Sequence, residues 1–316
     1  MQLTLLIDPP QDGLTNMAVD EALLAMAAAG ELGPVLRFYQ WSPATLSLGY
    51  FQRYAERTAH PASGNCDVVR RASGGGAILH DRELTYSLVL PAGHPLTARA
   101  EPLYRAVHQA LIDVLAEASG SGASPSQKLD ARFWDDVQPA RDTPSGSAGT
   151  SPSPDAFACG DTAKQQADTA LADPQSPTPN SASRTPAPPE PFLCFERRSP
   201  GDLVLRASGE TSTQPAAWHK ILGSAQRRRH GAVLQHGSLL WGRSEFAPEL
   251  PGVSELAGTD FAAMVLSDLT IAWSKKLAMV LDFELSSGGN SAQAAVDPWL
   301  AMAREKFHEP GWLHSR

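Results

Sequence analysis

The stretch Val68-Val69-Arg70-Arg71-Ala72-Ser73-Gly74-Gly75-Gly76-Ala77-Ile78-Leu79-His80-Asp81 constrains this chain more than any other. Two β-branched residues and two arginines lead into Gly74, Gly75 and Gly76, and a short apolar run ends on His80 and Asp81. Beyond it, Glu83-Leu84-Thr85-Tyr86-Ser87-Leu88-Val89-Leu90 alternates polar and apolar residues, the period of a strand. The pattern predicts a strand, a glycine loop and a second strand. Three successive glycines permit positive φ and let a ligand lie against the backbone. Their N–H groups can hold a carboxylate, a carbonyl or a phosphate. A flexible hairpin turn also accounts for the triplet alone, but the charged pairs on both sides weigh against it.

Around this block the chain reads as a set of strands and amphipathic helices. Residues 2–7 alternate like a first strand. A helix is expected from Thr15 to Met26, capped by Thr15 or Asn16 and closed at Gly30, with Asp20 and Glu21 as solvated positions. Leu36–Trp41 and Thr45–Gln52 read as strands separated by a Ser42-Pro43 turn. Leu103, Val107, Leu111 and Val114 fall on one face of a helix running from Leu103 to Ala118. From about 119 to 190 Ser, Pro, Gly, Ala, Thr and Asp dominate, a composition that buries too little apolar surface to offset chain entropy. Disorder is expected there, apart from a docked fragment at Lys128–Val137. A strand is predicted after Cys194, at Asp202–Leu205, and a turn at 209–217. Lys220-Ile221-Leu222-Gly223-Ser224-Ala225-Gln226 reads as a strand entering a Gly-Ser turn. Arg227–His230 form a basic turn ahead of a strand at Gly231–Leu240, and helical patterns follow at Phe261–Val280 and Asp297–Phe307.

Bulk properties narrow the function. With 316 residues and 42% hydrophobic content, the chain can bury the core of one large domain. A net charge of −8 argues against a general nucleic-acid surface. No apolar run is long enough for a bilayer span, and the opening Met1–Pro10 lacks the basic region of a signal peptide. Cys66, Cys159 and Cys194 are sparse and odd in number, which reads as reduced thiols in a cytoplasmic protein.

Two segments carry a family resemblance. The arginine–glycine block resembles the RRxxGGGAxxHD signature of the lipoate-protein ligase and octanoyltransferase family, related to biotin protein ligases. Lys220–Gln226 followed by Leu234-Gln235-His236-Gly237-Ser238-Leu239-Leu240 resembles its second signature, K-[IV]-x-G-[SN]-A-Q with LQHGS. Asn16–Leu23 and the Arg37–Gln52 region are weaker matches, and together the likeness covers roughly 1–120 and 190–316. It implies an α+β fold, a mixed and mostly antiparallel sheet flanked by helices, here one catalytic domain over 1–316 interrupted by the insert at about 120–190. Family members typically have a much shorter connection at that point.

The resemblance also implies a chemistry. Lys220 corresponds to the acyl-site lysine, whose ammonium stabilises negative charge on a carbonyl or phosphate. Cys194 is similar to the nucleophile of cysteine-dependent octanoyltransferases, with a buried inert thiol as the competing reading. Such enzymes take octanoate from acyl carrier protein as a thioester and pass it to a lysine of a lipoyl domain in a 2-oxoacid dehydrogenase complex or the glycine cleavage H protein. They need no cofactor, nucleic acid or membrane. Arg70, Gly74, Gly75, Gly76, His80, Gly223, Ser224, Gln226 and His236 are the expected substrate-binding residues, with no metal ligand among them. Trp41 and Tyr50 suit either an acyl-tunnel wall or ordinary core packing. An ATP-dependent lipoate-protein ligase is the alternative, with Lys220 and Arg70 on an acyl-adenylate and Mg²⁺ present. The chain leaves no room for the small C-terminal domain many such ligases carry, which favours the transferase. A non-catalytic acyl-binding or assembly protein is the remaining alternative.

Overall fold

The computed structural model describes residues 1–118, 129–138, 190–210, 214–258, 265–288 and 290–315. The low-complexity expectation for 119–190 and the position of Cys159 therefore lie largely outside the described residues. The strands are β1 (Gln2–Ile7), β2 (Val35–Tyr39), β3 (Thr45–Leu48), β4 (Asp67–Arg70), β5 (Ile78–His80), β6 (Glu83–Leu90), β7 (Ala131–Phe133), β8 (Leu203–Arg206), β9 (Trp218–Arg229), β10 (Ala232–Leu240) and β11 (Glu284–Ser287). The helices are α1 (Gly13–Ala29), α2 (Ala100–Ala118), α3 (Trp134–Val137), α4 (Val253–Leu256), α5 (Leu266–Val280), α6 (Asn290–His308) and α7 (Pro310–Leu313).

Eight strands form one sheet in the order β11-β1-β2-β6-β10-β9-β8-β7. The β11-β1-β2 edge is parallel and the remaining pairs are antiparallel. A smaller sheet, β4-β3-β5, stands beside it. The expected α+β class, a mixed and mostly antiparallel sheet with helices, is what the chain adopts.

Strand periodicity explains the layering, because successive side chains point to opposite faces. Leu36, Phe38, Leu88, Leu90 and Val233 join one core with α2 and α5. Val35, Tyr39, Val89, Ala232 and Leu234 join a second core with α1 and α6. Central strands thus have both faces covered, and every residue of β6 and β10 is buried. Trp273 of α5 anchors the first core, its ring 5.4 Å from Phe38 and 5.1 Å from Tyr86.

Several local expectations are corrected. Asp12, not Thr15 or Asn16, caps α1, accepting from the Thr15 N–H at 2.9 Å. Gly30 ends that helix with φ 79° as expected. Asp20 and Glu21 are buried rather than solvated, because α1 is covered by the sheet on one side and α6 on the other. β9 runs straight through Gly223-Ser224 without a turn. The hairpin turn is His230-Gly231, with φ 46° and 85°, the positive pair a tight two-residue hairpin needs. Arg227–Arg229 therefore lie on the strand. The docked fragment is present: β7 pairs with β8, and Leu129 and Phe133 are buried.

Candidate active site

The glycine loop leaves β4 and returns through β5 in the small sheet. Arg71 holds its shape. Its guanidinium donates to the Ser47 carbonyl (3.0 Å), the Gly74 carbonyl (2.9 Å) and the Gly76 carbonyl (2.5 Å). Close approach explains two glycines. A Cβ on Gly49 would lie 2.0 Å from the Gly75 carbonyl oxygen, and one on Gly76 would lie 3.1 Å from the Cys194 backbone. The loop and the cysteine segment are also bridged directly: Cys194 N–H donates to the Ala77 carbonyl (2.7 Å) and Ala77 N–H to the Phe192 carbonyl (3.1 Å).

Cys194 opens a short 3₁₀ turn, with a free and partly exposed thiol. Lys220 of β9 brings its Nζ within 3.6 Å of Sγ and 3.3 Å of the Cys194 carbonyl oxygen. The β8–β9 register jumps from Leu203 opposite Leu222 to Val204 opposite Lys220. Such a bulge re-aims a side chain beside a site. The Lys220 chain then lies over Gly223, where a Cβ would meet Cε at 2.6 Å. Asp202 completes the group, its Oδ2 2.9 Å from Nζ. Burial disfavours the Lys220 charge, but Asp202 and then Cys194 outweigh it, and its pKa is raised.

Asp202, the partner of Lys220, is a position the motif reading passed over. Its carboxylate is buried, accepting from Tyr104 OH (3.0 Å) and the Ser199 N–H (2.7 Å). A network continues behind it. Ser224 Oγ lies 2.7 Å from both Tyr86 Oη and His108 Nε2, and His108 Nδ1 lies 2.8 Å from the Gly201 carbonyl. Burial pushes the His108 pKa down to about 3, so this imidazole stays neutral.

A small, largely apolar pocket connects these parts. Met17, Tyr39, Trp41, Ile78 and Phe195 supply apolar walls, while Cys194, Gly74, Gly75 and Ser224 lie on its lining. His80 and His236 also line it. His80 stacks on Trp41 at 3.8 Å, with Nδ1 2.5 Å from Glu83 Oε1 and Nε2 2.7 Å from Ser47 Oγ. Burial lowers its pKa despite Glu83. His236 has Nε2 2.5 Å from Ser73 Oγ and Nδ1 3.4 Å from Asp20 Oδ2. Asp20 also binds Arg37 (2.9 Å), Tyr39 OH (2.9 Å) and Ser87 OH (2.8 Å). Burial opposes its charge, yet His236 and Arg37 prevail and hold its pKa below the ordinary value.

Of the residues singled out from sequence, Cys194, Gly74, Gly75, His80, Gly223, Ser224 and His236 meet at this pocket, with Lys220 behind the thiol. Arg70 does not. Its guanidinium reaches away to the carbonyls of Gly49 (2.9 Å), Gln52 (2.7 Å) and Leu313 (2.9 Å), making it a brace rather than a ligand. Gln226 binds the Ala100 carbonyl and Gln235, again away from the pocket. Gly76 packs on Cys194 and serves by leaving room. Trp41 lines the pocket; Tyr50 instead packs on Phe51 and Trp312.

A thiol beside a buried, acid-paired lysine thus opens into an apolar pocket walled by a glycine loop, on a lipoate-ligase-type fold. In sequence the chain is similar to the lipoate-protein ligase and octanoyltransferase family. Residues 12–133 match the family model described as lipoyl protein ligase A/B catalytic domain. The octanoyltransferase LipM of Staphylococcus aureus is 31% identical over 73% of this chain and 62% of its own length. That of Oceanobacillus iheyensis is 43% identical over 73% of this chain and 60% of its own. The matched part thus spans about three-fifths of those curated relatives. Among solved structures, a lipoate-protein ligase A bound with ATP superposes with TM-score 0.56 at 19% identity, covering 99% of each chain. The bi-partite lipoate protein ligase of Thermoplasma acidophilum gives 0.56 at 17% identity, covering 99% of this chain and 97% of that one. At such identities these two bear on fold alone.

Proposed function

We propose that this chain is a protein N-octanoyltransferase of lipoyl assembly, acting as one catalytic domain with an insertion near 120–190. The observation that carries the reading is the approach of Lys220 Nζ to Cys194 Sγ at 3.6 Å inside the pocket. A thiolate is the nucleophile in thioester exchange, and an adjacent cation favours it. Octanoyl-acyl carrier protein delivers its acyl group to Cys194, releasing the carrier thiol and forming an enzyme thioester. Met17, Trp41 and Ile78 shelter the octanoyl chain. A lipoyl-domain lysine then attacks the carbonyl, the amide forms and Cys194 departs as thiolate beside Lys220. Activation of the incoming thioester is conserved, so ATP and Mg²⁺ are not needed. The ligase alternative is weakened by Arg70, whose donors face backbone carbonyls instead of a phosphate position. Among the described residues no helix is long and apolar enough to cross a membrane.

The test is intact-protein mass spectrometry after incubation with octanoyl-acyl carrier protein in the absence of ATP. Wild type should gain one octanoyl group and pass it to a lipoyl domain, and Cys194→Ala should gain none. Labelling of the lipoyl domain only when free octanoate or lipoate and ATP are supplied would sink the transferase reading in favour of the ligase.

A further inference from the structure

The pocket begins at the thiol, and two independent rulers locate its far end. The first runs across the large sheet. Gly223 stands opposite Ser238, Ser238 opposite Thr85, and Thr85 opposite Tyr39, so one row passes from β9 through β10 and β6 to β2. All four residues line the pocket. Lys220 lies over Gly223 and its Nζ is 3.6 Å from Cys194 Sγ, which puts the thiol at the β9 end of the row. Nothing in the row before β2 is larger than threonine, so it forms a trough. Neighbouring strands are about 4.8 Å apart, so Gly223 to Thr85 spans roughly 10 Å. The second ruler runs along β5. The Cys194 N–H donates to the Ala77 carbonyl (2.7 Å), and Ile78 and His80 both line the pocket from one face of the strand. His80 is three residues beyond Ala77, again roughly 10 Å at the rise of a strand.

Both rulers end on Trp41. Its Nε1 donates to Thr85 Oγ1 (2.8 Å), and its ring lies on that of His80, with centroids 3.8 Å apart and planes 10° from parallel. Thr85 is itself held, donating to Glu83 Oε1 (2.6 Å). The indole is therefore fixed at two points. Behind it there is space. A Cβ on Gly13 would lie 3.2 Å from Trp41 Cζ3, and Gly13 and Val69 belong to a second cleft that reaches the surface at Asp12, Asp67 and Arg304. The indole is the partition between the two. The other large groups on the wall lie elsewhere or yield. Phe195 adjoins Cys194, and Ile78 stands midway along the β5 ruler. Tyr39 is one strand beyond Thr85 with its hydroxyl on Asp20, and Met17 is unbranched and adaptable.

We propose that Trp41 sets acyl chain length, closing the pocket at the methyl end of an octanoyl group. The inference rests on the transferase reading. An extended octanoyl chain measures about 9 Å from carbonyl carbon to methyl, with carbon–carbon bonds of about 1.5 Å. It fills the roughly 10 Å between Cys194 and the indole face. Each added pair of carbons needs about 2.5 Å more and meets a ring held on two sides. A shorter chain leaves the end of the trough without contacts and loses their dispersion energy. Length is thus read at the methyl end, away from the bonds that form and break at Cys194.

The experiment is a competition. An equal mixture of octanoyl-, decanoyl- and dodecanoyl-acyl carrier protein is offered without ATP to wild type, Trp41→Ala, Trp41→Phe and Tyr50→Leu. Intact-protein mass spectrometry at early times reads the adducts, and their ratio within one sample does not depend on how much enzyme is folded. One methylene too many in an apolar pocket is worth roughly 10–200-fold, so wild type should load octanoyl at least ~10-fold faster than either longer chain. Trp41→Ala should bring all three within a few-fold. Trp41→Phe keeps a ring in the wall and decides the matter should the alanine variant not fold; it should admit decanoyl while dodecanoyl still lags. Tyr50→Leu, altered where the ring packs on Phe51 and Trp312, should keep the wild-type profile. Wild type that loads dodecanoyl as readily as octanoyl would overturn the proposal. So would Trp41 variants with the wild-type profile, or an equal shift in Tyr50→Leu. Failure of wild type to load any chain would instead overturn the transferase reading. Calorimetry with free octanoate and decanoate then reads the stop by itself: a preference for octanoate that Trp41→Phe abolishes supports it, and equal affinities in wild type overturn it.

Discussion

Replacing Asp202 by Asn tests whether the Lys220 charge is built into the fold. The two groups are 2.9 Å apart and nearly fully buried, so the substitution leaves a cation in the interior with an amide in place of its counter-charge. Removing one partner of a buried pair typically costs about 3–5 kcal/mol, against about 0–1 kcal/mol for exposed pairs. For a domain of this size each 1 kcal/mol moves the melting midpoint by roughly 2–4 °C, so Asp202→Asn should melt roughly 6–20 °C lower. Lys220→Met should destabilise less, since Asp202 keeps its bonds to Tyr104 and Ser199. The double variant buries neither charge and should recover part of the loss, giving a coupling energy of at least roughly 2 kcal/mol. Thermal and urea melts of all four proteins supply the cycle. Single-variant losses below about 1 kcal/mol that simply add would refute the claim that the pair is desolvated and mutually dependent. Octanoyl loading should also slow in Asp202→Asn, because a buried lysine without its partner sheds its proton and no longer favours the thiolate.

His108 makes the fold acid-sensitive. Its pKa is about 3 in the folded chain and roughly 6.5 when unfolded, so between these values the unfolded state binds more protons and stability falls as pH drops. The full span is on the order of 5 kcal/mol, and His108→Gln should flatten the dependence of melting midpoint on pH between 7 and 4; parallel curves would refute it. Arg70→Gln leaves the Gly49, Gln52 and Leu313 carbonyls short of a donor, which should lower stability by roughly 2–4 kcal/mol while KM for octanoyl-acyl carrier protein at a temperature where the variant is folded stays unchanged. A raised KM with unaltered melting would show that Arg70 serves substrate after all.

The glycine block and the lysine strand were legible because their signals are local: consecutive glycines, strand alternation, and a Lys-x-x-Gly spacing that the structure uses to lay the lysine side chain over the bare glycine. Arg70 and Arg71 illustrate the limit. Adjacent on β4 and its exit, they are chemically alike, but strand alternation sends one to brace the tail and the other to clamp the loop. Asp20, Asp202 and Glu83 were misjudged or overlooked because burial of a carboxylate depends on partners far along the chain. A faint signal exists for Asp202, which stands directly before the apolar run Leu203-Val204-Leu205. The straight course of β9 through Gly223 was hidden because a Gly-Ser pair also suits a turn, and only pairing with β8 and β10 decides between them.

The place of β6 between β2 and β10 has a consequence for the growing polypeptide. β2 leaves the ribosome before β6 and can pair with it at once. The other side of β6, eight residues long and destined for full burial, must wait for β10. Synthesis proceeds at roughly 5–20 residues per second, so the interval from Leu90 to Ala232 lasts roughly 7–30 s. For that time the nascent chain carries an open apolar strand edge, the kind that templates wrong pairing. Slowing translation downstream of β6 should therefore raise chaperone dependence, while hastening the arrival of β9 and β10 should relieve it.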